Sequence, residues 1–329
     1  MQEIGQQLGV SKVTVSKALN DKPGVSTEMR EKIRQKAVDL GYIAAAEQKG
    51  LDVGVLIPNR FFSPESFYSM LYKMLVEELN KAGHFALLEL LGAEMEEQGQ
   101  LPNLLRSHRV DALVLLGEPT KEYLRLLSAQ DTPLVFLDFY DENASTDAVV
   151  GDSAYGSYRL TSHLIKNGHT KIGFVGEPMA TSSIMDRYLG FYRALISHGL
   201  SLRRDWIIPD RDPQGKEVEM VLPEELPTAF VCCCDLSACT LMEKLEERGL
   251  RIPDDISVVG FDDFCAGRRT PVPLSTFRVN YDAMIQKTVQ LVQDHFKEKQ
   301  GIGGRFVIGG TPIYRASEKR LPNNRRRSK

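Results

Sequence analysis

Apolar residues near the start of the chain recur at helical spacing. Ile4 and Leu8 stand on one face of a short helix. Gly9 can end that helix and take a positive φ in a tight turn. Ser11 is suited to cap a second helix, in which Val15, Ala18 and Leu19 form an inward stripe. Lys12, Val13, Ser16 and Lys17 are left facing outward. After a Pro23-Gly24 turn, Ser26 or Thr27 can cap a third helix with Met29, Ile33, Ala37 and Leu40 as its stripe, and Gly41 stops it. Short helices joined by a tight turn fit a helix-turn-helix, whose second helix can enter a DNA major groove. An ordinary three-helix bundle with solvated lysines has the same spacing.

From Asp52 the pattern changes to short apolar runs that alternate with amphipathic helical segments. Strands are predicted over 53–58, 85–88, 112–116 and 134–138, with helices over 67–82, 98–107 and 121–129. A second series places helices over 154–167, 186–198, 236–248 and 282–297, and strands over 171–176, 228–234, 257–261 and 306–308. This alternation predicts two doubly wound α/β lobes. A small ligand would bind in a polar cleft between them, at the carboxyl ends of strands.

Composition narrows the function classes. The 329 residues carry a formal net charge of −3, unevenly placed. Residues 1–50 have a net charge of +2 and residues 315–329 of +6, which leaves −11 for the body. Such a chain does not coat nucleic acid broadly, but it can bind it through one small module. No apolar run reaches membrane-spanning length, and the first residues lack a signal-peptide pattern, so the chain reads as cytoplasmic. The five cysteines form no metal-ligand spacing, and Cys232, Cys233 and Cys234 read as small hydrophobes of a buried strand in a reducing compartment. None of the histidines sits in a metal-ligand spacing, and no phosphate loop or catalytic dyad appears. The expectation is therefore no enzyme, no cofactor and no metal. The basic tail at 320–329 reads as a solvated end.

The quoted order of residues is more specific than the spacing. Gly9-Val10-Ser11, Thr14-Val15-Ser16, Leu19-Asn20, Val25-Ser26, Arg30-Glu31-Lys32-Ile33 and Leu40-Gly41-Tyr42-Ile43 closely resemble the DNA-binding headpiece of the lactose repressor family (LacI/GalR type) of bacterial transcription regulators. The resemblance continues through 53–319, on Gly168-His169-Thr170-Lys171-Ile172-Gly173, Arg187-Tyr188-Leu189-Gly190-Phe191, Ile256-Ser257-Val258-Val259-Gly260-Phe261-Asp262-Asp263 and Pro273-Leu274-Ser275-Thr276. It implies an all-α headpiece over 1–44, a linker over 45–52, and a periplasmic-binding-protein-like body whose sheets are completed by crossing segments.

The resemblance also implies roles. Lys12, Val13 and Lys17 fall where the family reads bases, and Ser11, Thr14, Asn20 and Ser26 where it contacts phosphates; Ser16 lies on the same face. Asp138, Arg187 and Asp262 fall where sugar-binding members hydrogen-bond hydroxyls. Phe139 would cover an apolar sugar face, and Thr181, Ser183, Val231 and Asp235 fall near the same pocket. The partners implied are double-stranded DNA with a near-palindromic operator, a small-molecule effector, most simply a sugar, and a second copy in a homodimer. Three features depart from the family. The linker is shorter than usual and lacks the Pro-Asn pair that leads into a hinge helix, and family members usually have several residues before the position of Gln2. Cys234 stands where the founding member has an amide. A sugar sensor with weak or lost operator binding is the alternative these departures leave.

Overall fold

A computed structural model of the chain describes residues 1–19, 22, 24–40, 50–298 and 303–322. Asn20, most of the 45–52 linker and the tail from 323 lie outside the described residues. The chain forms two compact units, Met1–Leu51 and Asp52–Lys329.

The first unit holds helices α1 (Gln2–Leu8), α2 (Lys12–Leu19) and α3 (Thr27–Asp39). They close over a small core in which Ile4, Val15, Ala18, Ile33 and Ala37 are fully buried. Gly9 takes the left-handed conformation, with φ 67°, and ends α1. Gly5 is needed too, because a Cβ there would meet the Val10 carbonyl oxygen at 2.6 Å.

The second unit starts with β1 (Asp52–Pro58), α4 (Phe67–Lys81), β2 (Phe85–Leu91), α5 (Ala93–Glu97), α6 (Asn103–Arg106), β3 (Ala112–Leu116), α7 (Lys121–Ser128), β4 (Leu134–Leu137) and β5 (Asp147–Gly151). The chain continues through α8 (Ser153–Lys166), β6 (Ile172–Val175), α9 (Ser182–Ser197), β7 (Ile207–Ile208), β8 (Ala229–Cys232), α10 (Asp235–Glu247) and β9 (Ser257–Val259). It ends with β10 (Thr276–Val279), α11 (Tyr281–Glu298), β11 (Arg305–Ile308) and β12 (Gly310–Ile313).

Two parallel sheets result. The first has the order β11-β5-β4-β3-β1-β2 and the second β7-β6-β8-β9, while β10 and β12 pair antiparallel. Strand β1 is buried on both faces from Val53 to Pro58, as a sheet covered by helices requires. One core, around Phe136, Leu115 and Tyr123, serves the first lobe; another, around Phe230, Leu241 and Val258, serves the second. Strand β11 lies in the first sheet although it follows the whole second lobe, so the chain crosses between lobes at β5–α8, β10–α11 and β11–β12.

Several expected boundaries move, each for a local reason. The helix expected over 98–107 is reduced to α6, because Gly99 turns left-handed after the unpredicted α5 and Pro102 caps α6. Helix α9 begins at Ser182 rather than 186, since Thr181 caps it by accepting from the Ile184 N–H at 3.2 Å. Strand β4 stops before 138, where the backbone takes φ 71°. Strand β8 stops at Cys232, and Cys234 caps α10. Strands β5, β7, β10 and β12 were not predicted.

Helices α8 and α9 approach backbone to backbone at Gly190. A Cβ on Gly190 would lie 2.1 Å from the Ala154 carbonyl oxygen. Gly190→Ala should therefore force the helices apart and cost about 1–3 kcal/mol, read as a lower urea midpoint for the body. An unchanged midpoint would mean that the two helices can separate freely.

Candidate functional site

In the first unit the outward face of α2 is set by its own caps. The Ser11 Oγ accepts the Thr14 N–H at 3.0 Å and lies 2.8 Å from the Thr14 hydroxyl. These bonds fix the start of the helix with both hydroxyls at its N-terminal end, where backbone N–H groups and the helix dipole favour phosphate. Lys12, Val13 and Lys17 are exposed and Ser16 is half-buried. Val13, an apolar residue, is 63% exposed, so packing does not explain it. Ser26 accepts the Met29 N–H at 3.4 Å at the start of α3. Arg30 on α3 donates to the carbonyls of Ala18 at 3.3 Å and Lys22 at 2.9 Å, bracing the end of α2.

In the second unit Arg187, on α9, is the centre of a cleft between the lobes. Its Nη1 donates to the Cys233 carbonyl at 2.6 Å and its Nε to the Ser153 Oγ at 3.3 Å. The guanidinium stacks over the Phe261 ring, 4.2 Å from the centroid. The charge is 7% exposed and is balanced by Asp138 from the first lobe and Asp262 from the second. Both carboxylates follow strands, and both stand at positive φ, 71° for Asp138 and 90° for Asp262. Non-glycine residues avoid that region, so each position holds local strain of about 1–3 kcal/mol.

The surrounding groups complete the wall. The Tyr68 hydroxyl donates to Asp138 Oδ2 at 3.3 Å, and the Tyr281 hydroxyl to the Asp262 carbonyl at 2.9 Å. Phe67 packs edge-on against Tyr281 and Phe264, bringing first-lobe and second-lobe rings together. Across the cleft edge, the Ser182 N–H donates to Glu118 at 2.8 Å, and the Tyr140 hydroxyl donates to Asp186 at 3.0 Å. The Phe61 ring lies against Gly215, where a Cβ would come within 3.0 Å of it. The lobes are thus closed on one another.

Burial pushes the Asp138 carboxyl up to about 6, against the pull of Arg187 and the Tyr68 hydroxyl. Burial also raises Asp262, and the nearby Asp235 adds to the effect. One guanidinium facing two buried carboxylates makes a site suited to a neutral ligand rich in hydrogen-bonding groups.

Comparison with known proteins places both units. Residues 1–44 match the model of bacterial regulatory proteins of the lacI family, and residues 161–318 match that of a periplasmic binding protein-like domain. The chain thus joins a DNA-binding domain of the lacI family to a periplasmic-binding-protein-like domain. It is similar to the HTH-type transcriptional repressor PurR of Aliivibrio salmonicida, 27% identical over 91% of this chain and 92% of that one. Its fold is that of the lac repressor dimer bound to operator and the anti-inducer ONPF, with a TM-score of 0.69, 21% identity and coverage of 96% of this chain and 98% of the other. It is likewise that of a complex of the transcriptional regulator CelR with cellobiose, with a TM-score of 0.68, 20% identity and the same coverages of 96% and 98%. These relatives are regulators rather than enzymes. No helix among the described residues is long and apolar enough to cross a membrane.

Within this periplasmic-binding-protein-like body the sequence-predicted site residues separate. Asp138, Arg187 and Asp262 converge. Thr181 caps α9, and Ser183 hydrogen-bonds the Thr181 hydroxyl at 3.2 Å. Asp235 is buried, and its Oδ1 accepts the Thr276 hydroxyl at 2.7 Å, tying α10 to β10. Val231 is interior to β8. Phe139 requires a correction: the left-handed turn at Asp138 directs it into the first-lobe core, where it stacks on Phe136 at 4.7 Å, not over a ligand. Sequence reading missed Tyr68, Tyr281, Asp210 and Arg211. The first two begin or follow helix starts that carry no motif, and the last pair follows the unpredicted strand β7.

The raised Asp138 group gives a signed pH effect. The folded body holds a proton there that the unfolded chain has already released, so ionisation costs stability above about pH 6 and the cost disappears as pH falls toward the ordinary carboxylate value. The unfolding free energy of the wild type relative to Asp138→Asn should therefore rise as pH is lowered from about 7 to about 4. A flat or opposite difference in urea titrations would place the carboxyl in an ordinary solvated state.

Proposed function

We propose that this lacI-family chain is an effector-controlled transcriptional repressor. The headpiece over 1–44 reads double-stranded DNA with Lys12, Val13 and Lys17, while Ser11, Thr14, Ser16, Asn20 and Ser26 hold phosphates. The linker over 45–52 connects it to the body over 53–319, which dimerises and places two headpieces on the half-sites of a near-palindromic operator. The effector lies between the lobes and is a small hydroxyl-rich molecule, most simply a sugar.

One observation carries this reading: an exposed, hydroxyl-capped recognition face and a buried Asp138–Arg187–Asp262 cleft occur in one chain. The cellobiose named with CelR and the operator named with the lac repressor support the two ligand classes. Carboxyl oxygens accept hydroxyl donors, while Arg187 donates in a fixed fork. Because coupling is reciprocal, a ligand that favours one lobe arrangement changes DNA affinity by the same factor that DNA changes its own.

Fluorescence anisotropy on DNA from upstream of the protein's own gene, at two salt concentrations and with a panel of sugars, tests both halves. Lys17→Ala should weaken operator binding about ten-fold. Unchanged affinity would refute the assignment of α2 to the groove. Arg187→Ala should keep DNA binding and lose the response to the sugar that shifts the wild type; a retained response would move the effector elsewhere.

A further inference from the structure

The second-lobe wall of the cleft contains a thiol cluster that the proposed function does not use. Asp210, Cys233 and Cys234 place their oxygen and sulfur atoms within 4.8 Å of one another. Cys234 is half-buried and caps α10, a helix of 13 residues. Its Sγ lies 3.0 Å from the Ser237 Oγ and 3.4 Å from the Ser237 N–H, with an Arg211 Nη2 at 3.9 Å. The Cys233 thiol points to Asp210 Oδ2 at 3.4 Å, and Asp210 is gripped by Arg211, whose Nη2 donates at 2.7 Å.

We propose that Cys233 and Cys234 are a redox-active vicinal dithiol, which a hydroperoxide converts to a disulfide that unseats Arg187. Arg211, the adjacent Cys233 thiol and the N-terminal end of α10, where the Ser237 N–H donates, favour a thiolate on Cys234; the Ser237 hydroxyl donates instead to Asp210. The Cys233 thiol and Arg211 pull Cys234 down to about 6 against the effect of burial, while Cys233 is raised. The same Arg211 disfavours a metal, because a cation at these atoms would have to displace a guanidinium already bound to Asp210.

The chemistry is a two-electron oxidation. The Cys234 thiolate attacks the distal peroxide oxygen, the O–O bond breaks, and the departing oxyanion takes a proton from water. Sulfur is oxidised to a sulfenic acid and the peroxide is reduced to an alcohol or water. The Cys233 sulfur then attacks the sulfenic sulfur, an S–S bond forms, and the hydroxyl leaves with the Cys233 proton as water.

The product alters the cleft because of where the pair stands. The disulfide closes an eight-membered ring that includes the 233–234 peptide. Ring closure constrains the backbone torsions on either side of that peptide, among them the φ of Cys234, which is −151° here. The peptide carries the carbonyl that accepts from Arg187 at 2.6 Å, so its rotation removes that anchor and the cap of α10 together.

Cys239 and Cys265 supply an internal comparison: they are also neighbours, and their hydrogen bond raises Cys265 and lowers Cys239, but Cys239 is fully buried whereas Cys234 is half-buried. The full reduced chain would be treated with stoichiometric hydrogen peroxide at neutral pH, quenched by alkylation at timed intervals and mapped by peptide mass. The expected result is a bond between Cys233 and Cys234 that forms about ten-fold faster than Cys239 or Cys265 reacts. Cys233→Ser should leave a sulfenic acid on Cys234 that dimedone traps, which tests the nucleophile without needing the Cys234→Ser variant. Hydrogen exchange of the oxidised chain should rise in the first turn of α10 and around Arg187. Equal rates at all cysteines, a bond between another pair, unchanged exchange at both segments, or stoichiometric Zn²⁺ binding that blocks alkylation of the pair would overturn the proposal. None of these readouts involves DNA or a sugar, so the outcome is independent of the operator and effector assignments.

Discussion

A buried guanidinium has to be neutralised and hydrogen-bonded, and that requirement at Arg187 organises the body. Leaving its charge unpaired in a low-dielectric interior would cost several kcal/mol, more than a domain can spare from its marginal stability. The fold answers with a carboxylate from each lobe, a main-chain carbonyl and an aromatic face. Asp138 belongs to the first sheet and Asp262 follows the second, so the same charge that is stabilised also draws the lobes together. Any ligand that replaces one of these partners changes the balance between lobe arrangements.

The strain at Asp138 and Asp262 follows from that requirement. A strand that ended in the ordinary way would carry its next side chain along the sheet. A left-handed residue at each strand end turns the chain sharply, sends the carboxylate into the cleft and returns Phe139 to the core. Asp263, the next residue, is held by Arg315 and Arg278, which keeps the turn after Asp262 in place. Local strain is thus supported by ionic contacts outside the cleft.

The headpiece rests on smaller forces. Its core is a handful of side chains, each worth about 1.5–3 kcal/mol when large and fully buried. Caps and turns therefore carry much of the definition: Ser11 at the start of α2, Gly9 before it, and Arg30 bracing its end. Because the small core consumes the apolar stripe of α2, its outward face is free to carry lysines and an exposed valine. That division of one short helix into a packed face and a presented face is what a groove-reading element needs.

How much of this was legible in the chain depends on the range of the interactions. Local signals were clear: the caps at Ser11 and Ser26, the Gly9 turn, and the alternation of apolar runs and amphipathic helices all act within a few residues. Asp138, Arg187 and Asp262 were singled out because each was expected at a strand end or helix start and together they matched a family pattern, although Arg187 lies in the second turn of α9. Strands β5, β7, β10 and β12 were not legible: β7 has two residues, β10 and β12 interrupt their apolar positions with Arg278, Thr311 or Pro312, and all four are defined by pairing with distant partners. Sequence alone determined the kinds of elements and the chemistry available to them. Tertiary structure alone decided that Phe139 turns inward, that Tyr68 and Tyr281 join the cleft, and that Asp210 and Arg211 meet Cys233 and Cys234. Hydrophobic periodicity is a property of neighbours along the chain, whereas a site is a set of directions in space, fixed only once the sheets have formed and the backbone has turned.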